Sequence, residues 1–252
     1  MSPAGSPAGV SAAQFIVDAA NAAPGEVTVL ALAAMTNVAL ALRLDPSVAT
    51  KLKRVVVLGG AFFVMGNVNP ASEANIWHDP QAADEAFTAF PDGVCCLVGL
   101  DVTQRSIMSG ACLDALRDSG GRFAAYAWSI CQFYKAYHMH SVGLDGIYLH
   151  DPTALVAVLQ PQLFGWTDGA VRVATDGVAR GKTLMDVGTK KCAHTHGDDA
   201  LPSVHPCSDI PAQTRHSWAG NNDWVGRSKC RVALTLQAEA VLDVVTTLLS
   251  RR

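Results

Sequence analysis

The stretch that decides the fold is residues 54–80, RVVVLGGAFFVMGNVNPASEANIWHDP. It opens on a run from Val55 to Leu58 that is aliphatic on every face and too short for a helix, as is typical of a strand buried on both sides. Gly59 and Gly60 allow a sharp turn at the carboxyl end of this strand. Three polar side chains follow that are costly to bury without hydrogen-bond partners: Asn67, Glu73 and Asn75. Because open α/β sheets bind ligands outside the carboxyl ends of their strands, the stretch favours a polar ligand site; a solvated loop with a capping Asn is the alternative.

Strand-like and helix-like segments alternate on both sides of this stretch. Buried strands are predicted at 27–33 and 94–102, a strand pair at 171–174 and 182–186, and a further strand at 232–236. Helices are predicted from apolar periodicity, caps and breakers at 11–21, 38–44, 80–90, twice within 108–140, at 153–159 and at 238–249. The alternation indicates the α/β class, with an open, mostly parallel, doubly wound (Rossmann-like) sheet flanked by helices.

Length and composition predict one large domain. The chain has 252 residues, half of them hydrophobic and 16% charged, which excludes a disordered protein. Residues 1–10 are rich in Pro, Gly, Ser and Ala and are predicted to be disordered, so the domain is expected at 11–252. Residues 190–224 shift to polar composition and are predicted to be a flexible insertion. This insertion contains Cys192, His194 and His196, whose two-residue steps could hold zinc but match no standard finger.

Charge and cysteine usage narrow the class of partner and the compartment. The net charge of -3 gives no basic field for nucleic acid, and no apolar run is long enough to span a membrane. The N-terminus has neither the basic nor the apolar region of a signal peptide. The seven cysteines are odd in number and scattered along the sequence, which is typical of a protein from a reducing compartment. A cytoplasmic protein is therefore expected.

Four polar groups fall at predicted strand ends or helix starts, where a doubly wound sheet gathers its site. They are Thr36-Asn37, the Asn67/Glu73/Asn75 set, Asp101 and His150-Asp151. Asp151 has two readings: its carboxylate caps the first turn of a helix, or it binds a hard cation beside an acid–base imidazole. The spacing alone favours the cap.

Several segments together resemble the inosine–uridine nucleoside hydrolase family, and most closely its plant-type uridine nucleosidase branch. The matching pieces cover most of residues 11–187 and the tail from Trp224. They are PGEVTVLALAAMTNVALALRLDP (24–46), the GNV…SEANIWHDP part of the opening stretch, VGLDVT (98–103) and DGIYLHDPTALVAVLQPQLF (145–164). Each motif is weak by itself, whereas the three motif types, LTN-like, GNV…E.N and HDP, occurring in this order are highly specific.

The resemblance implies an activity and a role for each matching residue. It implies hydrolysis of a ribonucleoside, with uridine or inosine as substrate, to ribose and base, as in nucleoside catabolism and salvage. A Ca²⁺ cofactor would be bound by the main-chain carbonyl of Thr36 and the carboxylate of Asp151, and His150 would assist the leaving base. The sugar would contact Leu58 and the three polar side chains Asn67, Glu73 and Asn75. A homo-oligomer is the expected assembly.

One departure from the family pattern stands out. The family begins with a strand that ends in an aspartate-rich DxDxGxDD turn, which supplies most of the calcium ligands, and no such stretch occurs here. The sequence therefore predicts a member truncated at its N-terminus, with an incomplete calcium site and impaired hydrolysis. The alternative is a non-catalytic relative that acts as a binding or oligomerisation partner. The aromatic residues Tyr134, Tyr137 and His138 either line the base end of the site or pack in the core.

Overall fold

The computed structural model describes residues 9–187, 224 and 226–251. The predictions of a disordered N-terminus, of the insertion at 190–224 and of its Cys/His steps therefore fall almost entirely outside the described residues. Ser11 caps the first helix as predicted, because its hydroxyl accepts a hydrogen bond from Gln14 N at 3.1 Å.

A six-stranded mixed sheet forms the centre of the described structure, and a two-stranded ribbon lies beside it. The strands are β1 Thr28–Ala31, β2 Arg54–Leu58, β3 Cys95–Val98, β4 Ile107–Ser109, β5 Gly146–Tyr148, β6 Phe164–Val173, β7 Thr183–Asp186 and β8 Lys229–Leu236. The main sheet has the order β1-β2-β3-β8-β6-β7, and β4 pairs with β5. Strands β1, β2, β3 and β8 are parallel, and β6 is antiparallel to both of its neighbours, β8 and β7. The predicted open, mostly parallel sheet is confirmed.

Helices cover both faces of the sheet. In chain order they are α1 Ala12–Ala22, α2 Thr36–Leu44, α3 Val48–Lys51, α4 Ala74–His78, α5 Pro80–Ala89, α6 Leu100–Thr103, α7 Gly110–Asp118, α8 Ala124–Val142, α9 His150–Leu159 and α10 Ala238–Leu249. Among the helices described, none combines the length and the apolar character needed to cross a membrane.

Strand β2 separates two hydrophobic cores. Val55 and Val57 point into the core formed with α1, α2 and α5, whereas Val56 and Leu58 point into the core formed with α7, α9 and α10. Alternate side chains of a strand lie on opposite faces, so an all-aliphatic run can fill both cores at once. This explains why the run from Val55 to Leu58 shows no alternation of apolar and polar residues.

Several predicted strands have different bounds in the structure: 27–33 is shortened to Thr28–Ala31, and 232–236 is extended to Lys229–Leu236. The strand predicted at 94–102 ends at Val98, because Leu100 N donates to Gly60 O and Thr103 N donates to Gly99 O, which turns the chain into α6. The strand predicted at 171–174 is the last part of β6, which begins at Phe164. Its first half carries Trp166, Thr167 and Asp168 on a half-exposed strand, a pattern that periodicity alone does not reveal.

Candidate active site

A cavity of about 600 Å³ lies at the carboxyl ends of β1, β2 and β3. One side of it is polar and is formed by the loop after β2 and by α4. The other side is apolar and aromatic and is formed by α7, α8, β5 and the start of α9. Six of the seven predicted site residues line it: Leu58, Asn67, Glu73, Asn75, His150 and Asp151.

Glu73 fixes the geometry of the polar side. Its carboxylate is buried and accepts hydrogen bonds from the main-chain N–H groups of Gly60 at 3.1 Å, Asn75 at 3.0 Å and Ile76 at 3.2 Å. Burial raises the pKa of Glu73 above its usual range, although these three hydrogen bonds act in the opposite direction. A carboxylate has about four lone-pair positions, so three are used to join the β2 turn to α4.

The two asparagines are also held by the main chain. Asn75 Nδ2 donates to Leu58 O at 2.9 Å and to Leu32 O at 3.2 Å, which links the ends of β1 and β2. Asn67 Oδ1 accepts from Ala74 N at 2.9 Å. Within the described residues this leaves Asn75 Oδ1 as a free acceptor and Asn67 Nδ2 as a free donor beside the cavity.

The loop after β2 is further clamped by three side chains from other elements. Asp101 accepts from Phe62 N at 2.9 Å and Phe63 N at 2.8 Å, and Lys182 donates to Phe62 O at 3.1 Å. Thr183 Oγ1 accepts from Ala61 N at 3.0 Å. Asp101 was one of the predicted polar groups, but Lys182 and Thr183 lie about 120 residues along the chain and have no local signal that connects them with this loop.

His150 lies on the opposite side of the cavity and is neutral at physiological pH. Its Nδ1 is 2.7 Å from Thr103 Oγ1. Burial, together with the nearby His138, lowers the pKa of His150 to about 4. A neutral imidazole can offer one N–H and one lone pair, so the side chain can hydrogen-bond a ligand without carrying charge.

Asp151 does not have the role that spacing favoured. It lies in the first turn of α9, whose N-cap residue Leu149 makes no side-chain capping bond. No hydrogen bond or ion pair to the Asp151 carboxylate is present among the described residues, and partial burial raises the pKa of Asp151. The helix starts without a cap, and the carboxylate faces a cavity instead of its own backbone.

Of the seven predicted site residues, Thr36 is the one that is not among those lining the cavity. It is the first residue of α2, it is exposed, and its hydroxyl donates to Asp79 Oδ2. Asp79 in turn accepts from Ala82 N at 3.0 Å and caps α5. Thr36 thus connects two helix N-termini, and it is not among the residues that line the cavity.

Of the three aromatic residues of α8 considered in the sequence, one lines the cavity, one packs in the core, and one does neither. Tyr134 lines the cavity, Tyr137 is exposed, and His138 is buried in the core. The ring centroid of His138 is 4.1 Å from that of Tyr134 and 4.9 Å from that of Tyr148. The ring centroids of Tyr148 and His150 are 5.6 Å apart. Tyr148, which sequence reasoning did not single out, therefore continues the line of rings from α8 to the cavity.

The described residues supply few ligands for a divalent cation. They contain no group of three or more His, Cys, Asp or Glu side chains placed to hold a metal. Two carboxylates line the cavity among the described residues. That of Glu73 uses three of its acceptor positions on main-chain amides, and that of Asp151 has no partner in the described part of the chain. Calcium takes six to eight oxygen ligands, so these residues alone do not fit a calcium site.

Comparison with known proteins supplies the relatives of this chain. Uridine nucleosidase 1 of Arabidopsis thaliana is 42% identical over 235 residues, which are 93% of this chain and 62% of that protein. RihA of Klebsiella pneumoniae, a pyrimidine-specific ribonucleoside hydrolase, is 34% identical over 186 residues, which are 73% of this chain and 59% of that protein. This chain thus spans less than two thirds of the length of both relatives.

Solved structures share the same architecture. The plant nucleoside hydrolase PpNRh1 matches with a TM-score of 0.84 at 34% identity, over 100% of this chain and 71% of that one. A purine-preferring ribonucleoside hydrolase from Gardnerella vaginalis matches with a TM-score of 0.76 at 28% identity, over 96% of this chain and 66% of that one. The family model described as inosine-uridine preferring nucleoside hydrolase matches residues 2–243. The resemblance inferred from the motifs is confirmed, and the chain belongs to the inosine-uridine preferring nucleoside hydrolase family.

Proposed function

We propose that the cavity binds a ribonucleoside and that the protein hydrolyses its N-glycosidic bond, with uridine or inosine as the expected substrate. The observation that supports this most directly is the arrangement of one cavity between a polar side and a side lined by rings. A nucleoside has the same division, because its sugar carries hydroxyl groups and its base is flat and largely apolar on its faces. The names of the relatives, uridine nucleosidase and ribonucleoside hydrolase, point to the same chemistry.

The polar side suits a ribose. Asn75 Oδ1 can accept a hydrogen bond from a sugar hydroxyl, and Asn67 Nδ2 can donate one. The remaining lone pair of Glu73 offers a further acceptor. Because all three side chains are already oriented by the main chain, little rotamer freedom is lost when a sugar binds. Leu58 is buried with its side chain at the cavity and supplies an apolar contact.

The bond to be broken would lie between this side and His150. Cleavage of an N-glycosidic bond leaves positive charge on the sugar ring, in an oxocarbenium-like transition state. Preorganised negative groups stabilise such charge most effectively where water is partly excluded. Asp151 lines the cavity and its carboxylate has no hydrogen-bond partner among the described residues, and His150 can offer a hydrogen bond to the departing base.

The family resemblance implies a Ca²⁺ ion that would bind the sugar and polarise the attacking water. The described residues do not complete a site for it, so the roles above are derived from the protein side chains alone. We keep dependence on Ca²⁺ as a proposal for experiment.

A second candidate is a nucleoside-binding member that does not catalyse hydrolysis, and that pairs with a full-length subunit. The observation that favours it is the use of the Glu73 carboxylate by three main-chain amides, which leaves Asp151 as the one uncommitted acid among the described residues that line the cavity. Such a protein would bind uridine or ribose but release no base.

The deciding experiment measures binding and hydrolysis in the same preparation. The purified chain is incubated with uridine or inosine, with added Ca²⁺ or with EDTA, and release of base is followed by chromatography. Calorimetry measures binding of the same nucleosides. If the proposal is right, Asp151→Asn lowers turnover by about 100-fold, the usual effect of removing one electrostatic group from an active site. Asp118→Asn, at an exposed position on α7, is the matched control. Binding without any release of base would support the second candidate, and neither binding nor hydrolysis would exclude both.

A further inference from the structure

Thr103 is a buried residue whose only side-chain partner among the described residues is His150. It is the last residue of α6 and has no exposed surface. Its Oγ1 is 2.7 Å from His150 Nδ1. Neither the motif resemblance nor the roles proposed above assign it a function.

The number of hydrogen atoms decides the direction of this hydrogen bond. A threonine hydroxyl has one hydrogen, and a neutral imidazole has one N–H. If Nδ1 carried the hydrogen and donated to Thr103, the buried O–H of Thr103 would have no acceptor within the described structure. A buried donor without a partner costs about 1–3 kcal/mol. If Thr103 donates to the lone pair of Nδ1, both groups are satisfied and the imidazole hydrogen lies on Nε2.

A threonine in a helix commonly donates its hydroxyl hydrogen to a carbonyl of the preceding turn, and two other threonines of this chain do so. Thr88 and Thr246 donate their hydroxyl hydrogens to carbonyls three and four residues earlier in their own helices, at 3.0–3.2 Å. The hydroxyl of Thr103 makes no such bond, although its own N–H is bonded to Gly99 O. Its rotamer therefore directs the hydroxyl towards His150.

We propose that Thr103 is a positioning residue that holds His150 in the tautomer with hydrogen on Nε2, so that this N–H is presented to the base of a bound nucleoside. The Nε2 atom has no partner among the described residues, and the ring of His150 lines the cavity. The role in catalysis rests on the proposed function, whereas the tautomer itself is a property of the free protein.

This arrangement limits what His150 can do to the leaving base. Complete transfer of the Nε2 hydrogen would leave an imidazolate, because Nδ1 receives only a hydrogen bond from Thr103 and no proton. His150 therefore acts as a hydrogen-bond donor to a lone pair of the base as the bond to the sugar breaks, and the electron pair of that bond stays with the base. The expected ligands are bases with an acceptor atom near the glycosidic nitrogen.

The tautomer can be measured without any assay of activity. The chain is labelled with ¹⁵N-histidine, and long-range ¹H–¹⁵N correlations are recorded at pH 7.5. His150 is assigned among the eight histidines by the signal that disappears in His150→Asn. The expected spectrum has a pyrrole-type Nε2 and a pyridine-type Nδ1. A pyrrole-type Nδ1 in the unchanged protein would overturn the proposal.

Variants then test whether Thr103 is the cause. Thr103→Val, which has the same shape, removes the donor at Nδ1, so the ¹⁵N signals of the His150 ring are expected to shift. We also expect kcat to fall about tenfold, the value of one buried hydrogen bond, with KM little changed. Thr103→Ser keeps a donor and restores both readouts, and Thr88→Val changes neither. Ring ¹⁵N signals of His150 that are unchanged in a folded Thr103→Val protein would refute the proposal. If no nucleoside is hydrolysed by any of these proteins, the proposed function fails, but the spectra still decide the role of Thr103.

Discussion

The two sides of the cavity are built in opposite ways. The polar side, from Gly59 to Asn75, is held by side chains whose hydrogen bonds end on main-chain atoms of several elements. The aromatic side depends on α8, a helix of 19 residues of which only Ala124 and His138 are buried. This helix packs mainly against α7 and β5. Hydrogen bonds to main-chain atoms therefore fix one side. On the other side α8 is held by apolar packing and by two contacts between partly exposed side chains, Trp128 with Asp114 and Lys135 with Asp145.

The difference indicates that the two sides of the cavity suit different parts of a ligand. Hydrogen bonds to backbone atoms allow only one arrangement, which suits the recognition of hydroxyl groups with fixed directions. Contacts between rings tolerate small changes of position, which suits a flat ligand. We expect substitutions on the polar side to cost stability and those on the exposed face of α8 to cost almost none.

The largest effect is expected for Glu73→Ala. It leaves the N–H groups of Gly60, Asn75 and Ile76 without their acceptor in a buried place, and we expect a loss of about 3 kcal/mol in the free energy of unfolding. Urea denaturation followed by circular dichroism measures it. The control is Glu85→Ala, which breaks a partly exposed ion pair with Arg43 and should cost less than about 1 kcal/mol. Equal losses in the two variants would contradict the view that the polar side is the rigid one.

The next largest effect is a dependence of the free energy of unfolding on pH, caused by His150 on the aromatic side of the cavity. The pKa of His150 is lowered from 6.5 to about 4 in the folded protein, so the unfolded state binds a proton first as the pH falls. Stability should therefore be lost between pH 6.5 and pH 4, by roughly 3 kcal/mol for this group at the lower end. Glu73, with its raised pKa, has the opposite sign and gains relative stability in acid.

His150→Asn isolates the histidine contribution. Urea denaturation at several pH values, with the unchanged chain and this variant side by side, gives the difference directly. The free energies of unfolding should converge as the pH approaches 4 and stay parallel above pH 7. A constant difference over this whole range would show that the ring titrates normally.

A smaller loss is expected for Asp101→Asn. The amide keeps one oxygen for the N–H of Phe62 or Phe63, but its NH₂ group faces the other N–H, and we expect a loss of about 2 kcal/mol. Thermal unfolding measures it. Lys182→Met tests the same loop from the other side, since Lys182 binds the carbonyl of Phe62. If both variants unfold at the same temperature as the unchanged chain, the hydrogen bonds of Asp101 and Lys182 to the loop do not contribute to stability.

The smallest effect is expected for Phe133→Ala. Its side chain is 83% exposed on α8, so its removal should change the free energy of unfolding by less than about 0.5 kcal/mol. Denaturation in urea again gives the value. Leu113→Ala is the comparison. This residue is buried on α7, on the same side of the cavity, and its truncation should lower the free energy of unfolding by about 2–5 kcal/mol. A loss of several kcal/mol in Phe133→Ala would mean that this face of α8 is covered in solution.

The sequence by itself determined the class of fold, the family and most of the elements that carry the site. A run such as Val55 to Leu58 is readable because burial on both faces leaves no polar position. Helix bounds followed from local chemistry, and α10 begins and ends where its pattern predicts. The motifs also selected six residues that line one cavity, since parallel strands bring their carboxyl ends to one edge of the sheet.

Only the tertiary structure decided what each of these residues does. Glu73 uses most of its carboxylate on main-chain amides, and the hydroxyl of Thr36 donates to Asp79. Asp151 has no hydrogen-bond partner among the described residues, where spacing suggested a cap. The clamp of Lys182 on the loop after β2 joins residues about 120 positions apart. Hydrogen bonds depend on distance and direction in space, and neither quantity is encoded in local spacing along the chain. For that reason the sequence names the residues of the site, whereas the fold assigns their partners.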